Sequence, residues 1–494
     1  MGEVDSKCGF FIAHSLHDVY QGLEALQHRG EDATGIFALT DRGEINGVRW
    51  VGKVGNLNRT TAERILEGGI FYVGEVRYGT CGEKSPEKLL EGALPRHING
   101  RITADYQLPY FPHRIIRGAT HALAHNGNLI GVKPRGNDTD SDVMLRFYAL
   151  QETGGVEKII ETFPAAYSAA ILDARKDYVC VFKDRYAIRP LWIGEKDGRL
   201  VASSEDRAIT EVGGNPLREF RPGEIIDIPR NGTHFNGRQI LSREKRPCFF
   251  ERNYLGDVLS SYQGMLNRDT RRRLGVELAE EFAPDVDIVS FIPNAPRDHA
   301  RAYSDFRKIP FAEVFYKIKS ERAFLGPDEK SRLTSIDYNL YTFDHIDING
   351  KQLQLSDVKR LLLIDDSIVR LNNLPIAVKK LRDKGVGWIG VAVGTPGIGP
   401  VINGVNHGCY YGVDIPPDDN FAVRNYSSVE EMVHAAGVDA LHFISKRGLE
   451  NALRRKLREC CAHCIGEPNP VLDEELIRLD SVVDEMYGAL EKKK

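Results

Sequence analysis

Residues Arg360-Leu361-Leu362-Leu363-Ile364-Asp365-Asp366-Ser367 are a short apolar run that goes straight into two acids. Such a run reads as a buried strand. Pro375 to Lys384 follows as a helix, with proline near its first turn and Gly385 just beyond its end, and Val386 to Gly394 reads as the next strand. Strand, helix, strand in this order predicts a parallel sheet, whose ligands sit outside the carboxyl ends of the strands. Asp365 and Asp366 fall at such an end. Upstream, an amphipathic helix over Thr270 to Phe282 and a strand over Val286 to Ile292 carry the same rhythm back to about residue 250.

Before that point the pattern differs. Residues 8 to about 240 read as short strands, Tyr178-Val179-Cys180-Val181-Phe182 among them, separated by turns carrying Asn126-Gly127, Pro222-Gly223 and Asn231-Gly232. Helices over Val19 to His28 and Asp142 to Gln151 interrupt them, which predicts an α+β sheet sandwich. The tail from Leu449 to Lys494 reads as helical and charged. The chain therefore divides into a leader (1–7), a sandwich (8–240), a parallel-sheet domain (250–450) and a helical cap (451–494).

Composition narrows the function. With 494 residues, the chain exceeds what one core usually serves. Lys+Arg 66 against Asp+Glu 70 gives a formal charge of −4, so there is no basic excess to attract nucleic acid. No apolar run is long enough to span a membrane, and Met1 to Lys7 is charged rather than apolar, so a cytoplasmic location is expected. Met1-Gly2 through Ser6 also fits a loose myristoylation pattern, but no polybasic patch supplies the second membrane signal. Eight cysteines are too few for a disulfide scaffold, yet three of them crowd into Cys460-Cys461-Ala462-His463-Cys464.

Cys8, standing alone in Lys7-Cys8-Gly9-Phe10, would be an ordinary buried strand thiol. It is followed by Gln27-His28-Arg29-Gly30-Glu31-Asp32-Ala33-Thr34-Gly35-Ile36, Val76-Arg77-Tyr78-Gly79-Thr80, Ala124-His125-Asn126-Gly127-Asn128 and Thr139-Asp140-Ser141-Asp142. In order and position these resemble the glutaminase domain of class-II glutamine amidotransferases, an N-terminal-nucleophile (Ntn) hydrolase fold. Ala166-Tyr167-Ser168, Asp184 to Leu191 and Ala202-Ser203-Ser204-Glu205 extend the match. The resemblance implies removal of the leader, so that the Cys8 α-amine, titrating near ~8, serves as base to its own thiol. It implies Asn126 and the Gly127 N–H as oxyanion donors, and Arg77, Asp140 and Arg29 as glutamine-binding residues. Two departures stand out. The connection from Arg77 to Asn126 is longer than usual, with an insertion around Pro95 to His113, and Glu75 stands where the family generally has histidine.

In the second half, Arg246-Pro247-Cys248-Phe249-Phe250-Glu251 with Tyr254 resembles the domain junction of the amidophosphoribosyltransferase family. Leu363 to Arg370 resembles the signature of type I phosphoribosyltransferases for phosphoribosyl diphosphate (PRPP), and Arg322-Ala323-Phe324-Leu325-Gly326-Pro327 with Arg332 resembles the loop that closes over it. The resemblance implies PRPP binding through Asp365, Asp366, Ser367, Arg322 and Arg332, with magnesium at Asp365 and Asp366. Cys248, Cys409, Cys461 and Cys464 fall where the iron–sulfur branch carries its [4Fe–4S] ligands; zinc or inert buried thiols are the chemical alternatives. Cys460 matches no ligand position.

The acceptor half departs from its pattern at three points. Leu371-Asn372-Asn373 replaces Gly-Thr-Thr after the acid pair, Ile292 to Pro296 has proline in place of a magnesium-associated serine, and Tyr338 replaces lysine. The expectation is an Ntn glutaminase sandwich followed by a phosphoribosyltransferase parallel sheet. Its function would be to pass ammonia from glutamine to PRPP, giving 5-phosphoribosylamine in the first step of purine synthesis. Nucleotide effectors and a homo-oligomer are expected partners. The alternatives are a different phosphosugar or nucleotide-like acceptor, or a redox-sensing nucleotide-binding regulator.

Overall fold

The computed structural model describes residues 8–78, 85–103, 112–232, 235–293, 295–317, 340–348, 350–413, 415–417, 420–471 and 479–492. Arg322, Arg332, Tyr338, Asn294 and Cys81 lie outside the described residues.

The N-terminal half is four layers deep. A nine-stranded antiparallel sheet has the strand Gly9–Ala13 paired between Gly69–Arg77 and Arg199–Ser203. A six-stranded sheet, in which His121–Asn128, Ala166–Asp173 and Tyr178–Lys183 are consecutive neighbours, lies against it. Strand alternation sorts the side chains into three apolar layers. Phe10, Ile12, Phe71, Val73, Ala122 and Ala124 fill the space between the sheets. Phe11, Ala13 and Val76 face outward to the helix Leu16–Ala25, where a methyl on Gly22 would overlap the Phe11 ring. Leu123, Ala169 and Ile171 face outward on the other side, to helices Asp140–Leu150 and Gly155–Thr162. The expected sandwich is therefore an Ntn-type stack. The inserted segment adds Arg96–Ile98 to the edge of the six-stranded sheet and Arg101–Thr103 to the edge of the nine-stranded one.

The second half carries a parallel sheet in the order Ile288–Phe291, Arg360–Asp365, Trp388–Val393, Ala440–Phe443. Its strands are apolar on both faces because the helices Asn267–Glu281 and Arg297–Arg307 pack in one cluster and Asn373–Asp383 and Val429–Ala436 in another. The expected helix at Pro375 begins two residues earlier, at Asn373, and stops at Asp383 before Gly385 at φ 91°.

The tail is less helical than its composition suggested. Helix Lys446–Leu453 ends on Arg454 at φ 52°, and short turns carry the chain through Cys460–Ile465. The last helix, Leu479–Lys492, returns to the first half. Leu479, Val483, Met486 and Tyr487 form a stripe at helical spacing and pack with Val143, Met144 and Phe147. The Tyr487 hydroxyl donates to Asp138 at 3.0 Å and accepts from the Arg135 N–H at 3.1 Å. No helix among the described residues is long and apolar enough to cross a membrane.

Candidate active site

The same alternation that fills the inter-sheet core also places the chemistry. Cys8 precedes Phe10 by two residues, Glu75 and Arg77 follow Val73 by two and four, and Asn126 follows Ala124 by two, so all four belong to the inner faces. Gly9 lies opposite Val76 and Phe10 opposite Glu75, which sets Cys8 beside the end of the Gly69–Arg77 strand. Cys8, Glu75 and Asn126 are buried. Among the described residues, neither polar atom of the Asn126 amide has a hydrogen-bond partner. A buried amide left unpaired costs free energy, so its persistence at this position marks a place where a ligand atom completes the structure. Gly127 has no room for a side chain, because an added Cβ would overlap the Ala166 carbonyl.

Arg77 lies against the segment that leads into the insertion: a Cβ on Gly92, at the end of helix Pro86–Gly92, would overlap its guanidinium. Asp140 opens the helix Asp140–Leu150 behind a capping box made by Thr139 and Asp142. Its carboxylate accepts from the Leu129 N–H at 3.1 Å and the Ser141 N–H at 2.8 Å.

Arg29 lies beneath the nucleophile rather than open to the pocket. Its Nε donates to the Cys8 carbonyl at 2.9 Å, and its other nitrogens reach Glu205 at 2.6 Å and Glu251 at 3.1 and 3.2 Å. Arg189 joins the same group, donating to Glu251 at 3.0 Å and to the Tyr411 carbonyl at 2.6 Å. These contacts set Arg29 against the Cys8 backbone and two buried carboxylates, where the resemblance implied a glutamine-binding residue. Burial would push both carboxyls up. The charges of His28 and Arg29 instead hold Glu205 well below the usual carboxylate range, and those of Arg29 and Arg189 lower Glu251. Burial pushes the Cys8 thiol up to about 12, and the charge of Glu75 adds to the rise, with Arg77, the Tyr78 N–H and Arg29 opposing. Sequence reasoning overlooked this network, although Glu205, Glu251 and Arg189 each lie inside a motif it had quoted.

The acid pair sits at the carboxyl end of the Arg360–Asp365 strand, as expected. Asp365 accepts from the Asp366 N–H at 2.9 Å, and Asp366 accepts from the Ser367 hydroxyl at 2.7 Å. Burial and the charge of Asp366 push Asp365 well up, the condition a bound divalent cation would relieve. Beneath the pair, the Asn253 amide donates to the Asp366 carbonyl at 3.2 Å and its oxygen meets His299 Nε2 at 2.9 Å. Leu371 takes the left-handed conformation at φ 65° with its side chain buried, while Asn372 and Asn373 lie at the start of the following helix.

Four cysteines converge from three segments. Cys248 and Cys461 form a parallel backbone bridge, and Cys409 accepts from the Tyr411 and Val413 N–H groups at 3.3 and 3.4 Å. Beyond burial, the charges of Cys248, Cys409 and Cys464 push the Cys461 thiol up, so four ionised thiols here would repel one another without a cation. Cys460 is buried next to Arg455 and Arg252 instead. Among the described residues no three His, Cys, Asp or Glu side chains close to metal-ligand geometry. The donor set, three buried thiols and the half-buried Cys409, nonetheless suits an iron–sulfur or zinc centre.

Residues 125–211, from the strand carrying Asn126 to the helix beyond Glu205, match the family model of the glutamine amidotransferase domain. That match falls within the double-sheet stack of the first half. Over nearly its whole length the chain is also similar to amidophosphoribosyltransferases. It is 28% identical over 484 residues to the one from Mycobacterium tuberculosis, covering 95% of this chain and 86% of that protein. The Synechococcus elongatus protein is 28% identical over 512 residues, with 98% and 95% covered. Among solved structures, glutamine PRPP amidotransferase from B. subtilis, complexed with ADP and GMP, has the same fold at a TM-score of 0.75 and 24% identity, with 94% of this chain and 97% of that chain covered.

Proposed function

We propose that this chain is a glutamine-dependent amidotransferase that releases ammonia at Cys8 and delivers it to PRPP, giving 5-phosphoribosylamine. The observation that carries the reading is the meeting of a buried thiol, a buried amide unpaired among the described residues and a buried arginine network at one end of the inter-sheet space. With the leader removed, the Cys8 α-amine takes the thiol proton as sulfur attacks the glutamine side-chain amide carbon. The Asn126 amide and the Gly127 N–H receive the oxyanion. The C–N bond breaks, the nitrogen leaves as ammonia with the proton returned from the amine, and water then cleaves the thioester to glutamate. Arg77 and Asp140 hold the glutamine α-carboxylate and α-ammonium, and Arg29 fixes the Cys8 carbonyl from below.

At the other site Asp365 and Asp366 would hold the ribose hydroxyls of PRPP and a magnesium ion, which would neutralise the leaving diphosphate. Cys248, Cys409, Cys461 and Cys464 would hold a [4Fe–4S] cluster that ties the turns at Cys460–Ile465 to the domain junction. Leu371, left-handed and buried in the phosphate loop, favours a second reading in which the acceptor is another phosphosugar. The deciding experiment is glutamate release by anaerobically purified, leader-free protein with and without PRPP. Stimulation by PRPP supports the first reading, and glutaminase activity indifferent to PRPP supports the second. Brown protein with about four iron per chain supports the cluster; stoichiometric zinc without iron refutes it.

A further inference from the structure

Glu75 is unexplained by the chemistry above. It lies on the inner face two residues from Arg77, fully buried, opposite Phe10 in the strand that begins one residue after Cys8. One carboxyl oxygen accepts the His125 N–H, from the facing sheet, at 3.0 Å; the other has no hydrogen-bond partner among the described residues. That single bond joins the strand beside the nucleophile to the residue immediately before Asn126 and Gly127. A buried carboxylate with one donor is poorly compensated, and burying the neutral acid costs less even though its O–H finds no acceptor among the described residues.

The groups around it agree. Arg77 on its own strand favours the charged form, and Asp140 at the helix start opposes it. Cys8 on the adjacent strand feels its charge. The strand on its other side presents only Gly35, with Arg49 one strand further, and Arg29 is engaged by Glu205 and Glu251. His125 directs its ring to the Ser141 hydroxyl, 2.8 Å away, so only its backbone N–H meets Glu75. Burial outweighs the rest and holds the Glu75 carboxyl well above the usual range.

We propose that Glu75 is a positioning residue of the glutaminase centre, working as a neutral carboxylic acid that clamps the His125 N–H and so sets Asn126 and Gly127 against Cys8. The proposal rests on the glutaminase reading. Ionised, the same group would put a negative charge beside the thiolate and the developing oxyanion, so its deprotonation turns the centre off as pH rises.

The test compares Glu75→Gln, which keeps the acceptor and is neutral at every pH, with Glu75→Ala, which removes it. The Gln variant should keep kcat/KM for glutamine within about threefold at neutral pH, and its alkaline limb should move to higher pH. The Ala variant should lose about 10- to 100-fold in kcat, the scale of a misplaced reacting group, with KM little changed. Independently of turnover, Cys8 alkylation at alkaline pH should be faster in the Gln variant than in wild type. The wild-type minus Gln-variant infrared difference spectrum at neutral pH should show the band of one protonated carboxyl lost. A Gln variant as inactive as the Ala variant, or one with unchanged alkaline limb and alkylation profile, overturns the proposal. Wild-type protein unable to hydrolyse glutamine at all overturns the glutaminase reading instead, and this inference with it.

Discussion

The two centres handle unpaired polar groups in opposite ways. At the glutaminase centre, buried groups are left open: both polar atoms of Asn126 and one oxygen of Glu75 have no partner among the described residues. At the acceptor centre the acids satisfy each other, Asp365 through the Asp366 N–H and Asp366 through the Ser367 hydroxyl. The strain there is in the backbone, where Leu371 occupies the left-handed region. An open buried amide is organised in advance for a charge that appears only during reaction. A self-satisfied acid pair must be reorganised by what binds, and a leucine at positive φ costs about 1–2 kcal/mol that a glycine would not.

This contrast can be broken most directly at Cys8. Cys8→Ala should reduce glutamine hydrolysis by about 10³-fold or more while leaving amination by free ammonia in place; equal loss of both activities would show that the two centres are not separable. Next in size is Arg29→Met, which removes the one positive charge that Glu205 and Glu251 share and leaves both acids buried. It should lower stability by about 3–5 kcal/mol, read as an earlier urea transition. A transition at the wild-type midpoint would mean the network is not under load.

At the acceptor centre, placing Gly-Thr-Thr at 371 to 373 should tighten PRPP binding by at least about tenfold, since each restored donor to phosphate is worth about 1.5–3 kcal/mol. Weaker binding after the exchange would identify Asn372 and Asn373 as a working phosphate site. Leu371→Gly alone should relieve the strain yet lose more stability than it regains, because emptying a buried leucine costs about 2–5 kcal/mol. The smallest effect is on acid stability. Glu205 and Glu251 have folded values below the ordinary 4.5, so their contribution is whole above that pH and lost as pH falls beneath it. Wild type should therefore lose stability below about pH 4.5 more steeply than Arg29→Met, by on the order of 1 kcal/mol per pH unit.

Much of this was legible beforehand, for local reasons. The apolar run before Asp365 could only be a buried strand, and the Thr139–Asp142 pattern announced a helix start. Cys8, Asn126 and Glu75 were legible as chain positions but not as one site, because their meeting depends on which strands pair. The partners of Arg29 were hidden for the same reason: they lie in motifs far along the chain, and nothing local to Gln27–Arg29 distinguishes a ligand-binding arginine from one held by Glu205 and Glu251. The tail misled because charge and helical spacing say nothing of what a helix packs on.

That last helix also affects how the chain is made. The outer face of the sandwich at Val143, Met144 and Phe147 stays uncovered until Leu479–Lys492 has been synthesised. At about 5–20 residues per second, this leaves the first half with an exposed apolar patch for roughly 13 to 50 s after its own sequence has left the ribosome. During that interval chaperones have an obvious surface to hold, and a ribosome stalled anywhere in the second half leaves the patch bare.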